Sequence, residues 1–272
     1  VLSQFIRTSI RRSRSIAAFA LFALVVLGPN VSRAQTTAKP SIVLVHGAFA
    51  DASSWNTVIP LLQKAGFTVY APPDTLRGLD ADAAVIATFV HSIPGPVILV
   101  GHSYGGSVIS EAAPTEANVK ALVYVDAFAP DTGESAGSLL AAYPPTPKDF
   151  FVPVPLAGMP GADLYIAPKY YGAVFASDVP PATAAIMAVT QRPITLSALS
   201  DKAAFTEGWK TLPSWYVVGD ADLVIPPALQ MMMAQRAKSH IIHVPGGSHP
   251  SMIMHPKATV DAIEAAAAAT AK

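Results

Sequence analysis

Five short apolar runs, each too short for a buried helix, divide the chain: Ser41 to His46, Val97 to Val100, Ala121 to Val125, Ser214 to Val218 and His240 to Val244. Each is rich in Val, Ile and Leu and stops at a turn signal, at Gly47, Gly101, Asp126, Gly219 and Pro245-Gly246. Runs of this kind read as strands buried on both faces. A weaker strand is expected over Phe67 to Ala71. Between the runs lie segments patterned for helices: Trp55 to Ala65, Leu79 to His91, Tyr104 to Ala113, Pro226 to Ala237, and an Ala-rich closing helix from Pro256. Strands that alternate with helices require right-handed crossovers. The expected fold is therefore α/β, with a mostly parallel central sheet covered by helices on both faces.

The alternation fails between Pro130 and Leu212. Twelve of the chain's 25 prolines fall between Pro130 and Pro213, together with Tyr143, Phe150, Phe151, Tyr165, Tyr170, Tyr171, Phe175, Phe205 and Trp209. Eighty residues without structure would be out of place inside a compact domain. An inserted cap with short helices, such as Pro181 to Thr190, is expected over 131–212, leaving a core built from 35–130 and 213–272. There is no internal repeat.

Residues 1–34 have a different character. Arg7, Arg11, Arg12 and Arg14 precede an apolar run from Ile16 to Leu27, followed by Gly28-Pro29 and the small-residue pattern Ser32-Arg33-Ala34. Twelve apolar residues are too few to span a bilayer, and the pattern is that of a secretory signal cleaved after Ala34. The expected product is exported, periplasmic or secreted, with no membrane anchor left after cleavage. Five of the 18 basic residues lie in this segment, so the remaining 238 residues carry 13 basic and 18 acidic groups, a net charge of −5. The 51% hydrophobic content excludes disorder, and the absence of cysteine excludes disulfide scaffolds and thiolate metal sites. No basic cluster outside the first 14 positions offers a surface for nucleic acid.

Gly101-His102-Ser103-Tyr104-Gly105 matches G-x-S-x-G. The three fixed positions alone arise by chance in roughly one chain in ten of this length. Here, however, the motif ends a strand and opens a helix, the setting that a nucleophile elbow needs. A serine hydroxyl is a weak nucleophile and requires a base. Of the seven histidines, His249 follows the last strand and the turn Pro245 to Ser248, and is the expected base; His255 is the alternative. The acid that orients the base is expected at Asp222, in the loop after Val218, with Asp220 and Asp126 as alternatives. Donors for a developing oxyanion are expected from the backbone N–H groups of Tyr104 and of Ala48, which follows Gly47. His46 reads as a hydrogen-bonded support. Phe49 is a candidate for contact with substrate. No histidine pair has metal-ligand spacing, and neither a metal nor another cofactor is expected.

His46-Gly47-Ala48-Phe49-Ala50-Asp51-Ala52-Ser53-Ser54-Trp55, Val100 to Gly106 and Ser248-His249-Pro250 resemble the signatures of small α/β-hydrolases. The group includes plant methyl-salicylate-type esterases, hydroxynitrile lyases and bacterial carboxylesterase-like proteins. The resemblance implies the α/β-hydrolase fold, a Ser103–Asp222–His249 triad, oxyanion donors at Ala48 and Tyr104, and a cap that lines the pocket for a small-molecule ester. In the lyases of the group threonine replaces the glycine of the His-Gly pair and lysine follows the catalytic histidine. This chain has Gly47 and Pro250. Ester hydrolysis through an acyl-enzyme is the expected activity. Lyase or perhydrolase chemistry on the same scaffold and a non-catalytic binding protein are the rival readings.

Overall fold

Each apolar run forms a strand of one sheet in the computed structural model, which describes residues 39–143, 147–204 and 207–271. The expected export signal lies outside the described residues. In chain order the first half contains β1 (Ser41–Val45), α1 (Ile59–Lys64), β2 (Val69–Tyr70), α2 (Leu79–His91), β3 (Val97–His102), α3 (Tyr104–Ala112) and β4 (Val119–Val125). After the insertion come β8 (Ser214–Gly219), α8 (Pro227–Arg236), β9 (His240–Val244), α9 (Ser251–Met254) and α10 (Pro256–Thr270). The six strands pair in the order β2-β1-β3-β4-β8-β9, and every pairing is parallel.

Side chains alternate across the sheet and feed two separate cores. Val43, Val45, Leu99, Leu122, Tyr124, Tyr216 and Val218 pack with Ile86 of α2, Val108 and Ile109 of α3, and Leu229 and Met233 of α8. Ile42, Leu44, Ile98, Val100, Val123, Val125 and Val217 face the other way. They pack with Trp55, Val58, Leu62 of α1 and Ile263 of α10. Among the described residues, no helix is long and apolar enough to cross a membrane.

Two expectations need correction. The helix expected over Trp55 to Ala65 is split into a 3₁₀ turn, Ala52–Trp55, and α1, with Pro60 in the first turn of α1. Proline lacks an N–H and is tolerated only at a helix start, so α1 cannot extend back to Trp55. The apolar spacing still holds, because Trp55, Val58 and Leu62 are all buried. The insertion, in turn, contains more than helices. Alongside α4 (Ala136–Ala141), α5 (Pro168–Tyr170), α6 (Pro181–Thr190) and α7 (Leu196–Ser200) it carries β5 (Phe151–Pro155), β6 (Ala162–Ile166) and β7 (Ile194–Thr195). These three form an antiparallel sheet, with β5 at its edge. Pro153 and Pro155 hide β5 from a sequence reading, since proline is admitted to a sheet only at an edge.

The parallel arrangement brings the carboxyl ends of β1, β3, β4, β8 and β9 to one side. The loops that leave those ends carry Gly47, Ser103, Asp126, Asp222 and His249. In open α/β sheets this is the side on which ligands bind.

Candidate active site

Ser103 stands between β3 and α3 with φ +54° and ψ −123°. A non-glycine residue rarely adopts a positive φ, and the flanking glycines show why this turn is tolerated. A Cβ on Gly101 would meet Gly105 O at 2.5 Å, and one on Gly105 would meet Val45 O at 2.6 Å. The turn therefore closes only around glycine. It also leaves the Tyr104 N–H at the open end of α3, where helix N–H groups have no intrahelical acceptor.

Ser103 Oγ lies 2.9 Å from His249 Nε2, and His249 Nδ1 lies 2.8 Å from Asp222 Oδ2. Asp222 Oδ1 accepts the N–H groups of Val224 (2.7 Å) and Ile225 (3.0 Å), and Oδ2 accepts Gln230 Nε2–H (2.8 Å). The carboxyl oxygens thus face donors only, an arrangement that suits a carboxylate receiving the imidazole Nδ1–H. Burial raises the pKa of Asp222, and the donors from Val224, Ile225 and Gln230 pull against it. Burial also pushes His249 down to about 3, so its imidazole rests neutral. Gln230 was invisible as a site residue in the sequence. It sits on the buried face of α8 beside Leu229 and Met233, and a polar residue on such a face is the one signal it leaves.

The alternatives for base and acid lie elsewhere. His255 Nε2 is 3.2 Å from Asp178, and Asp220 pairs with His243 at 2.8 Å on the surface. Asp126 is buried beside Asp222, but it accepts Gly219 N–H (2.7 Å) and Ser251 N–H (3.1 Å) instead of holding the imidazole. Burial, and the negative charge of Asp222, raise its pKa. It ties together the two loops that carry Asp222 and His249.

The loop after β1 presses on Ser103. A Cβ on Gly47 would stand 2.6 Å from Ser103 Cβ and 3.2 Å from Ser103 Oγ, so only glycine lets the backbone leading to Ala48 come this close. His46 supports the turn: Asp74 N–H donates to its Nε2 (3.0 Å), which leaves Nδ1–H to donate to Gly47 O (2.9 Å). His102 is equally buried; its Nε2–H donates to His249 O (3.1 Å) and its ring lies 4.8 Å from that of His249.

The insertion closes over this centre. Phe175 meets His249 edge-on at 5.0 Å and also contacts Tyr171 and Phe49. Phe49, at φ +61°, stacks on Phe151 at 5.6 Å. Its N–H donates to Arg192 O and its carbonyl accepts the Tyr171 hydroxyl. Ser103 is consequently only 6% exposed. Beyond Phe49 and Tyr171 lies a cleft of ≈ 290 Å³, lined also by Asp51, Asn56, Met187 and Gln191. Lys257 Nζ pairs with Asp261 on the exposed side of α10. Among the described residues, no group of three or more His, Asp or Glu is placed to hold a metal ion.

Comparison with known proteins agrees with this architecture. The alpha/beta hydrolase family model matches residues 42–262. An alpha-hydroxynitrile lyase of Arabidopsis thaliana is 29% identical over 251 residues, which cover 84% of this chain and 97% of the lyase. A carbendazim hydrolyzing esterase of Nocardioides sp. (strain SG-4G) is 36% identical over 126 residues, 41% of this chain and 52% of the esterase. The solved structure of a pyrethroid hydrolase from Sphingobium faniae JZ-2 matches with a TM-score of 0.69 at 23% identity, covering 85% of this chain and 98% of that one, a likeness of fold. The chain belongs to the α/β-hydrolase family and is an enzyme of the α/β-hydrolase type.

Proposed function

We propose that the protein is a cofactor-independent serine hydrolase of carboxylic esters. The observation that carries this reading is the continuous chain from Ser103 Oγ through His249 to Asp222, with bonds of 2.9 and 2.8 Å, buried beside Gly47. In the proposed reaction Ser103 Oγ attacks the ester carbonyl while His249 Nε2 takes its proton. The Ala48 and Tyr104 N–H groups stabilise the oxyanion, and Asp222 stabilises the imidazolium. Collapse of the intermediate breaks the bond to the alcohol oxygen, which leaves with the proton from His249. Water, deprotonated by His249, then attacks the acyl-enzyme and frees the acid and Ser103. Residues 131–212 act as the cap that excludes bulk water from this centre. Residues 1–34 direct export and are removed, which an intact-mass measurement on exported protein checks directly; retention of Val1 to Ala34 would refute it.

The similarity to a hydroxynitrile lyase makes cyanohydrin cleavage the reading to exclude. A nearby ammonium would favour release of cyanide, yet Pro250 has neither charge nor N–H, and Lys257 pairs with Asp261. Gly47 keeps the approach to Ala48 open, as ester hydrolysis requires. The test is one preparation assayed on a 4-nitrophenyl acetate-type ester and on mandelonitrile. Ester turnover with cyanide release no faster than buffer supports the proposal; the reverse pattern overturns it.

A further inference from the structure

The loop that carries His249 runs from the end of β9 at Val244 to the start of α9 at Ser251, and contacts beyond the His249 side chain also hold it. Three come from the core: Ala221 N–H donates to Gly247 O (3.0 Å), His102 Nε2–H donates to His249 O (3.1 Å), and Asp126 accepts Ser251 N–H (3.1 Å). Another comes from the insertion. Asp178, in the turn between Phe175 and α6, accepts the hydroxyl of Ser248, the residue that precedes His249 in the chain. Its other carboxyl oxygen lies 3.2 Å from His255 Nε2, at the far end of the same loop and α9. Ser248 is fully buried, and the Asp178 side chain is 15% exposed. A hydroxyl bonded to a carboxylate out of water is one of the stronger contacts a side chain makes. Phe175, three residues before Asp178, is the ring that meets His249 edge-on.

We propose that Asp178 is a positioning residue through which the insertion sets the His249 loop, so that the base faces Ser103 only while the insertion is docked. This rests on His249 being the general base. The physical reason is the short tolerance of proton transfer. Displacing a reacting group by about 1 Å costs on the order of a hundredfold in rate, and a loop that loses its one anchor to the insertion shifts by part of that. The hydroxyl needs an acceptor and no more, so an amide oxygen at position 178 can serve. An Asp178 that merely joined two surfaces would affect stability and leave turnover alone.

The test is steady-state kinetics on a 4-nitrophenyl acetate-type ester, with thermal melts, for Asp178→Ala, Asp178→Asn, Ser248→Ala, the Asp178→Ala/Ser248→Ala pair and Ser103→Ala. Asp178→Ala is expected to lower kcat about tenfold with KM within about twofold, because transition-state geometry is lost while binding stays. Asp178→Asn recovers most of that loss. Ser248→Ala lowers kcat in the same way, and the double variant is no slower than Asp178→Ala, since Asp178→Ala, which also frees His255, has already removed the Ser248 contact. A folded Asp178→Ala with unchanged kcat, a change confined to KM, an Asp178→Asn as slow as Asp178→Ala, or additive losses in the pair would each overturn the proposal. Should Asp178→Ala not fold, Ser248→Ala decides it, and unchanged kcat there overturns it. Ser103→Ala separates the two levels. If it is inactive while Asp178→Ala is normal, only this proposal fails; if it turns over the ester normally, the hydrolase reading fails and takes this proposal with it.

Discussion

Gly47 and Ser103 are packed so closely that a single methyl group on Gly47 would stand 2.6 Å from Ser103 Cβ. That contact is shorter than side-chain carbons tolerate, and the backbone carbonyl of His102, 2.8 Å away on the same side, blocks any simple retreat. Gly47→Ala is therefore expected to displace the loop leading to Ala48 and to lower kcat by about a hundredfold, the scale of a lost oxyanion donor. Kinetics on the folded variant check this; turnover close to wild type would show that residue 47 has no part in the site.

The two buried carboxylates are expected to behave differently. Asp222→Asn removes the group that orients His249 and should cost about a thousandfold or more in kcat with modest loss of stability. Asp126→Asn leaves an amide N–H₂ facing one of the N–H groups of Gly219 and Ser251, at about 1–3 kcal/mol for the stranded donor. Its mark should be a lower melting temperature with much of kcat retained. Parallel melts and kinetics decide; a crippled Asp126→Asn beside a harmless Asp222→Asn would move the acid to the end of β4.

Much of this site was legible in the sequence because its parts are local. The elbow needs only a strand, two glycines and a helix in succession, and the strand–helix alternation fixes which side of the sheet Ser103, Asp222 and His249 leave. What supports them was not legible. Gln230 reaches Asp222 from α8, His102 reaches His249 O from β3, and Asp178 reaches Ser248 from the insertion. Each contact depends on tertiary packing that leaves no periodic trace. The β5–β6–β7 sheet was hidden for a different reason, because Pro153 and Pro155 imitate a loop until β6 is seen to pair with that strand.

The pH dependence follows from burial. A general base acts only when neutral, and burial pushes His249, the proposed base, down to about 3. kcat/KM should thus hold its plateau well below the ordinary histidine value of about 6.5 and fall only in more acidic solution. Stability runs with it: a histidine lowered in the folded state contributes stability that is present above about 6.5 and is lost as pH falls toward the folded value. A profile from pH 4 to 8, with melts at each pH to separate protonation from unfolding, checks this. Half-loss of kcat/KM at pH 6.5 in folded protein would contradict it.

Asp74 acts in the opposite sense, the stability it contributes falling as pH rises toward about 8. Its Oδ1 accepts Leu76 N–H, while its Oδ2 is buried with no hydrogen-bond partner among the described residues, and burial with the nearby charge of Asp82 raises its pKa to about 8. The folded state then holds a proton that the unfolded chain releases near 3.8. Stability from this group is full below that value and is lost as pH rises through about 8. Asp74→Asn cannot ionise, so its melting temperature should decline less than wild type between pH 6 and 9. Equal declines would show that Asp74 is not the source.

Ser103, as a nucleophile activated by His249, should react selectively with phosphonates. The direct measurement is treatment of the protein with a serine-directed fluorophosphonate, followed by peptide mass spectrometry. One phosphonyl adduct on Ser103 is expected, formed in step with loss of ester turnover and absent from His249→Ala on the same timescale. An adduct on another residue with Ser103 unmodified, or labelling of Ser103 at the same rate without His249, would contradict it.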